Sequence, residues 1–140
     1  MKESFQPWME TVADTVGFAA SRSDVDAAKI GVVGFSLGGY LSLSTATHDP
    51  RIKVIVDYFG GLPKELHARA DKLPPTLILH GNADPIVSVN EARTLEGLLK
   101  THKIAHEVKI YDGLGHGFSG ETGQDAAKRA LAFLDAHLKK

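Results

Sequence analysis

The chain has 140 residues, of which 43% are hydrophobic and 24% are charged, as expected for one globular domain. Its 16 basic and 17 acidic residues give a net charge of -1, which offers no positive field for nucleic acid or an anionic membrane. The absence of cysteine excludes disulfides, cysteine-bound metals and a thiol nucleophile. No apolar stretch is long enough to cross a membrane, so we expect a single cytoplasmic domain over 1–140.

Helix-like and strand-like spacings of apolar residues alternate along the chain. In the first half of the chain they predict a helix over 5–19, a strand over 30–35, a helix over 37–48 and a strand over 52–59. An irregular stretch closed by Pro74-Pro75 follows, and then a strand over 76–80. The last predicted elements are a helix begun by the capping box Ser88-x-x-Glu91, a strand over 107–111 and a helix capped by Thr122. Because apolar strands alternate with helices, we expect an α/β fold. Its sheet should be mainly parallel, with about four strands and helices on both faces.

A serine lies where the first predicted strand meets the next helix, within Gly34-Phe35-Ser36-Leu37-Gly38-Gly39. The pattern G-x-S-x-G at such a junction predicts a nucleophile elbow, a tight turn that lifts the serine hydroxyl out of the sheet. We expect Gly34 and Gly38 to leave room for this turn. The N–H of Leu37, at the start of the helix, is then placed to stabilise an oxyanion.

A nucleophilic serine needs a base, and the base needs a carboxylate to orient it. Functional groups of parallel α/β sheets gather beyond the carboxyl ends of the strands, where Asp84 and His116 follow the third and fourth predicted strands. The chain order Ser36, Asp84, His116 is the order of α/β-hydrolase triads. Asp57, at the end of the second strand, is an alternative orienting carboxylate.

Three segments of the chain together carry a family resemblance: Gly34 to Gly39, His80-Gly81-Asn82-Ala83-Asp84 and Gly115-His116-Gly117-Phe118. They resemble the α/β-hydrolase superfamily, and most closely its dienelactone hydrolase-like branch. The resemblance covers nearly the whole chain. It implies Ser36 as nucleophile, His116 as general base and Asp84 as its orienting group, with hydrolysis of an ester, lactone or thioester through an acyl-enzyme and without a cofactor or metal.

Two features depart from the family pattern. Dienelactone hydrolases proper carry cysteine at the elbow, whereas Ser36 stands here, which favours a carboxylesterase acting on small ester or lactone substrates. Family members also carry further strands before the helix that leads into the elbow strand, and the loop that supplies the second oxyanion N–H belongs to that part. The elbow strand Ile30–Phe35 is then expected at a sheet edge, where we predict that a homodimer covers it.

Several alternative interpretations remain at the level of sequence. A dinucleotide-binding fingerprint is loosely imitated by the first strand, the pattern Gly34-x-Ser36-x-x-Gly39, the helix after it and Asp57 at the end of the next strand. The side chain of Ser36, however, obstructs the approach of a pyrophosphate. A catalytically weak or inactive hydrolase-fold module acting in assembly is a second alternative. Candidate walls of an acyl pocket are Phe35, Phe59 and Phe118, each of which is also explained as core.

Overall fold

The computed structural model describes residues 2–139, with side chains from residue 5 onward, and centres on a four-stranded sheet. The strands are β1 (Ile30–Phe35), β2 (Ile52–Tyr58), β3 (Thr76–Gly81) and β4 (His106–Tyr111). They lie side by side in chain order, and each neighbouring pair is parallel. The helices are α1 (Lys2–Ser21), α2 (Leu37–Ala46), α3 (Val89–Thr101) and α4 (Gly120–Leu138). The predicted parallel α/β sheet is therefore confirmed.

Both faces of the sheet are covered because its central strands are apolar on both sides. One core contains Ile55 and Ile78 and packs against α1, α2 and α3, with Leu43 and Leu95 among the helical contributions. The other core packs against α4 and contains Val54, Val56, Leu77, Leu79 and Phe133. Every residue of β3 is buried, as expected for a strand covered on both faces.

Several predicted bounds differ by a few residues from those observed, and the following three differences are the clearest. The last helix begins at Gly120 rather than at Thr122, because the N–H of Gly123 already bonds the carbonyl of Ser119. The second helix ends at Ala46 rather than at His48, because the N–H of His48 bonds the carbonyl of Thr45, three residues back. The stretch predicted as irregular before Pro74 contains a 3₁₀ helix over Lys64–Lys72.

The two edges of the sheet differ in chemical character. At the β4 edge, Glu107 and Lys109 place charges along the strand, a usual protection against unwanted strand pairing. The β1 strand carries no charge, and its side chains Val33 and Phe35 are 42% and 56% exposed. An apolar groove of about 360 Å³ runs between β1 and α1. The edge predicted to be unprotected is therefore free in this chain.

None of the helices among residues 2–139 combines the length and apolar character needed to span a membrane.

Candidate active site

The site is built around a strained turn at Ser36. Its backbone has a φ of 55° and a ψ of -116°. A residue other than glycine adopts this region at a cost of about 1–3 kcal/mol. The turn is held from both sides, since the N–H of Ser36 donates to the carbonyl of Tyr58 at 2.8 Å and its own carbonyl accepts the N–H of Gly39 at 2.9 Å. The sharp strand-to-helix turn predicted for an elbow is thus present.

Close packing at the turn depends on Gly34 and Gly39 rather than on Gly34 and Gly38. A Cβ atom at Gly34 would overlap the backbone of Gly38, as predicted. A Cβ at Gly39 would overlap the carboxylate of Asp57, whereas a Cβ at Gly38 would meet nothing within 4 Å. The expectation for Gly38 is therefore wrong. The first turn of α2 presents Gly38 to open space and Gly39 to the sheet.

The ends of three strands bring a serine, a histidine and an aspartate into one hydrogen-bonded row. The Nε2 atom of His116 lies 2.9 Å from Ser36 Oγ, and its Nδ1 lies 2.7 Å from Asp84 Oδ2. Since an ionised carboxylate only accepts hydrogen bonds, Nδ1 of a neutral His116 carries the proton and Nε2 accepts from the serine hydroxyl. In this tautomer the imidazole is ready to take a proton from Ser36.

The carboxylate of Asp84 is buried but has three hydrogen-bond donors. Besides His116, the N–H groups of Ile86 and Val87 donate to its Oδ1 at 2.8 and 2.9 Å. Burial acts to raise the pKa of Asp84, but the bonds from His116, Val87 and Ile86 outweigh it and the pKa is lowered. Asp84 therefore stays ionised beside the imidazole.

The two backbone donors at Ile86 and Val87 were missed by the sequence reasoning. An Asp-Pro pair such as Asp84-Pro85 is typical of turns in which the carboxylate bonds N–H groups two or three residues on, so the signal was present. A further support comes from His80, a fully buried residue whose Nε2 donates to the carbonyl of Val87 at 2.8 Å. The same loop thus holds Asp84 and is itself held by β3.

Asp57, the alternative orienting carboxylate, is not the one that contacts His116. It is fully buried near the end of β2, and its Oδ1 accepts the N–H of Gly60 at 3.0 Å. Burial raises its pKa to about 7, while the bond from Gly60 acts to lower it.

The three phenylalanines considered as pocket walls belong to one aromatic cluster that reaches the imidazole. The Phe59 ring is centred 4.6 Å from that of His116, and Phe118 is 5.2 Å from Phe59. Phe35 lies 6.3 Å from Phe59 and is the most exposed of the three residues. Beside Ser36, the partly exposed Leu37 begins α2, so its N–H has no acceptor within the helix. This N–H is the predicted oxyanion donor.

Among the side chains of residues 5–139, no group of three or more His, Asp or Glu is arranged to hold a metal ion.

Comparison with known proteins gives a consistent family. The sequence model of the dienelactone hydrolase family matches residues 1–137. A carboxymethylenebutenolidase homolog of Xenopus tropicalis is 25% identical over 142 residues, which covers 96% of this chain and 57% of the relative. A homolog of the same description from Mus musculus is 30% identical over 115 residues, covering 81% of this chain and 46% of the relative. The chain spans about half the length of these curated relatives.

A solved α/β hydrolase enzyme from a deep-sea metagenome library has the same fold. It matches with a TM-score of 0.81 at 17% identity, over 94% of this chain and 65% of that one. The four-stranded sheet and its helices therefore have the architecture of an α/β hydrolase.

The packing of the turn predicts opposite outcomes for two neighbouring glycines. Gly39→Ala should lower the free energy of unfolding by about 1–3 kcal/mol, because its Cβ overlaps the Asp57 carboxylate. Gly38→Ala should leave it unchanged or raise it by up to about 1 kcal/mol, because alanine favours the helix and its Cβ meets open space. Urea unfolding of the two variants measures the difference. Equal losses would contradict the assigned packing.

Proposed function

We propose that this chain, which belongs to the dienelactone hydrolase family, is a serine hydrolase that cleaves small ester or lactone substrates through an acyl-enzyme. The observation that carries the proposal is the row of hydrogen bonds from Ser36 Oγ through His116 to Asp84, at 2.9 and 2.7 Å. A serine, a histidine and an aspartate hydrogen-bonded in this order support a role in acyl transfer. Dinucleotide binding would not require the hydrogen bonds that join Ser36, His116 and Asp84.

The reaction follows from the protonation states. Nε2 of His116 takes the proton of Ser36 as Oγ attacks the ester carbonyl, and the N–H of Leu37 donates to the oxyanion that forms. The imidazolium, stabilised by the ionised Asp84, then gives its proton to the leaving alkoxide. A water molecule attacks the acyl-enzyme, His116 takes its proton, and the carboxylic acid leaves as Ser36 recovers its own.

The surroundings of Ser36 favour small substrates. Phe35 and Leu37, on either side of the serine in sequence, are 56% and 39% exposed. An acyl group would rest against an exposed apolar surface, which offers a long chain no enclosed pocket to fill. We therefore propose short-chain esters as the preferred class.

The oxyanion has one donor assigned to it, the N–H of Leu37. In other serine hydrolases, loss of one of two donors lowers kcat by about 10²–10³-fold. Slow turnover is therefore expected of this chain on its own. The alternative of an inactive module that serves in assembly is motivated by the same feature.

Replacing the nucleophile tests the proposal directly. Ser36→Ala should lower the rate of hydrolysis of p-nitrophenyl acetate by about 10³-fold or more, because no other group in the row can form the acyl-enzyme. Ser23→Ala is the matched control, since Ser23 is exposed in a loop, and it should keep the wild-type rate. Equal rates for wild type and Ser36→Ala would favour the inactive module.

The rate of ester hydrolysis should fall as the pH is lowered. Only a neutral imidazole can accept the serine proton, so kcat/KM should fall as the solution is acidified from about pH 8 to about pH 5. Because the pKa of Asp84 is lowered, its carboxylate stays ionised over this range and does not contribute to the decline. A rate independent of pH would remove His116 from the mechanism.

A second copy of the chain is the partner we propose for the free edge of β1. Two identical edges paired antiparallel about a twofold axis are complementary to each other, and β1 carries no charge to prevent the pairing. The exposed Val33 and Phe35 would be covered in the dimer.

Sedimentation equilibrium is expected to give the mass of a dimer for the wild type and of a monomer for Val33→Lys, because lysine places a charge on the paired edge. Glu107→Lys, which changes the opposite edge, should remain a dimer. A wild type that is monomeric throughout would exclude this partner.

A further inference from the structure

Asp57 is a buried acidic residue beside the elbow to which the proposed mechanism assigns no role. It is fully buried, and it pairs in register with Gly34 of β1 and Ile78 of β3. Its Oδ1 accepts the N–H of Gly60, and its Oδ2 has no hydrogen-bond partner among the described side chains and backbone. Burying a carboxyl group with so few partners costs stability, so its place beneath the elbow calls for another explanation.

Two glycines make room for this carboxyl group directly under the nucleophile. Gly39 of α2 lies so close that a Cβ there would overlap Oδ1. At Gly60, a Cβ would come within 2.6 Å of the same oxygen and 2.8 Å of the carbonyl of Ser36. The carboxyl group therefore fills the space between the first turn of α2, the elbow and the loop that follows β2.

The bond from Gly60 to Asp57 closes a turn that contains Phe59. This residue has a φ of 42°, a left-handed value that is rare for an aromatic side chain. Along β2, Ile55 faces the helices α1 to α3, and strict alternation would place Phe59 on that side as well. Phe59 instead joins Tyr58 in the core on the α4 side, where its ring packs against the imidazole of His116.

We propose that Asp57 is a positioning residue for the hydrolytic centre. Its carboxyl oxygen holds the turn through Gly60, the turn holds the ring of Phe59 on the α4 side, and that ring holds the imidazole of His116 at hydrogen-bond distance from Ser36. The inference rests on the proposed function for its effect on rate. Its structural part, from Asp57 to the imidazole, does not depend on turnover.

Two substitutions at Asp57 separate the hydrogen bond from the charge. Asp57→Ala removes the acceptor and should lower kcat for p-nitrophenyl acetate by about 10–100-fold, because small misplacements of catalytic groups cost that much, while KM changes little. Asp57→Asn keeps an acceptor oxygen and should retain kcat within about threefold of wild type. Should Asp57→Ala not fold, Asp57→Val, which restores volume without an acceptor, replaces it.

Asp49 offers a matched control at the opposite end of α2. It is 6% exposed and paired with Arg51, whose Nη2 lies 2.7 Å from its Oδ2. Asp49→Ala should lower the unfolding temperature without changing kcat below that temperature. A wild-type kcat in folded Asp57→Ala, an equal loss in Asp57→Asn, or an equal loss in Asp49→Ala would each overturn the proposal.

The ring protons of His116, observed by NMR, give a readout that needs no substrate. Because the Phe59 ring lies against the imidazole, its ring current shifts these signals. They should move in Asp57→Ala and stay in place in Asp57→Asn and Asp49→Ala. Unmoved signals in Asp57→Ala would overturn the positioning role. If Ser36→Ala and wild type hydrolyse the ester equally, the proposed function fails while this measurement still tests Asp57.

Discussion

The backbone at Ser36 is the constraint on which the rest of the site depends. A serine at a φ of 55° is costly, and it persists only where the surrounding structure leaves the chain no easier path. Here the end of β2 accepts its N–H, and the first turn of α2 donates to its carbonyl. Helix α2 can approach the sheet this closely because Gly34 and Gly39 carry no Cβ. The strained backbone conformation is therefore stabilised by contacts with both β2 and α2.

The parallel sheet converts distance along the chain into proximity in space. Ser36 and His116 are 80 residues apart in sequence and Asp84 and His116 are 32 apart, yet both pairs are within hydrogen-bond distance. All parallel strands end at the same edge, so a loop that follows any of them can deliver a side chain there. The loop after β3 is itself held by the carboxylate of Asp84 and by His80, which leaves that carboxylate little freedom.

The same sheet is open on the side of the elbow strand. Curated relatives are about twice as long as this chain, and the resemblance implies strands that precede the helix leading into β1. In this chain that side presents an uncharged edge, a groove along α1 and two exposed apolar side chains of β1. Ser36 directly follows the strand that forms this open edge. Whatever covers β1 would also approach the mouth of the site.

The helices, the strands and the places of Ser36, Asp84 and His116 just after strands are local features, which is why the amino-acid sequence by itself determines them. Strand and helix periodicity, the elbow pattern, and the positions of Asp84 and His116 just after strands can all be read without knowing which residues meet. Tertiary structure alone decided that Gly39 rather than Gly38 packs on the sheet, and that Asp84 rather than Asp57 reaches His116. It also decided that Phe59 leaves the alternation of β2. These outcomes depend on how closely two elements approach and on what each Cβ would touch. Such distances are set by the packing of the whole chain, and no spacing within one segment encodes them.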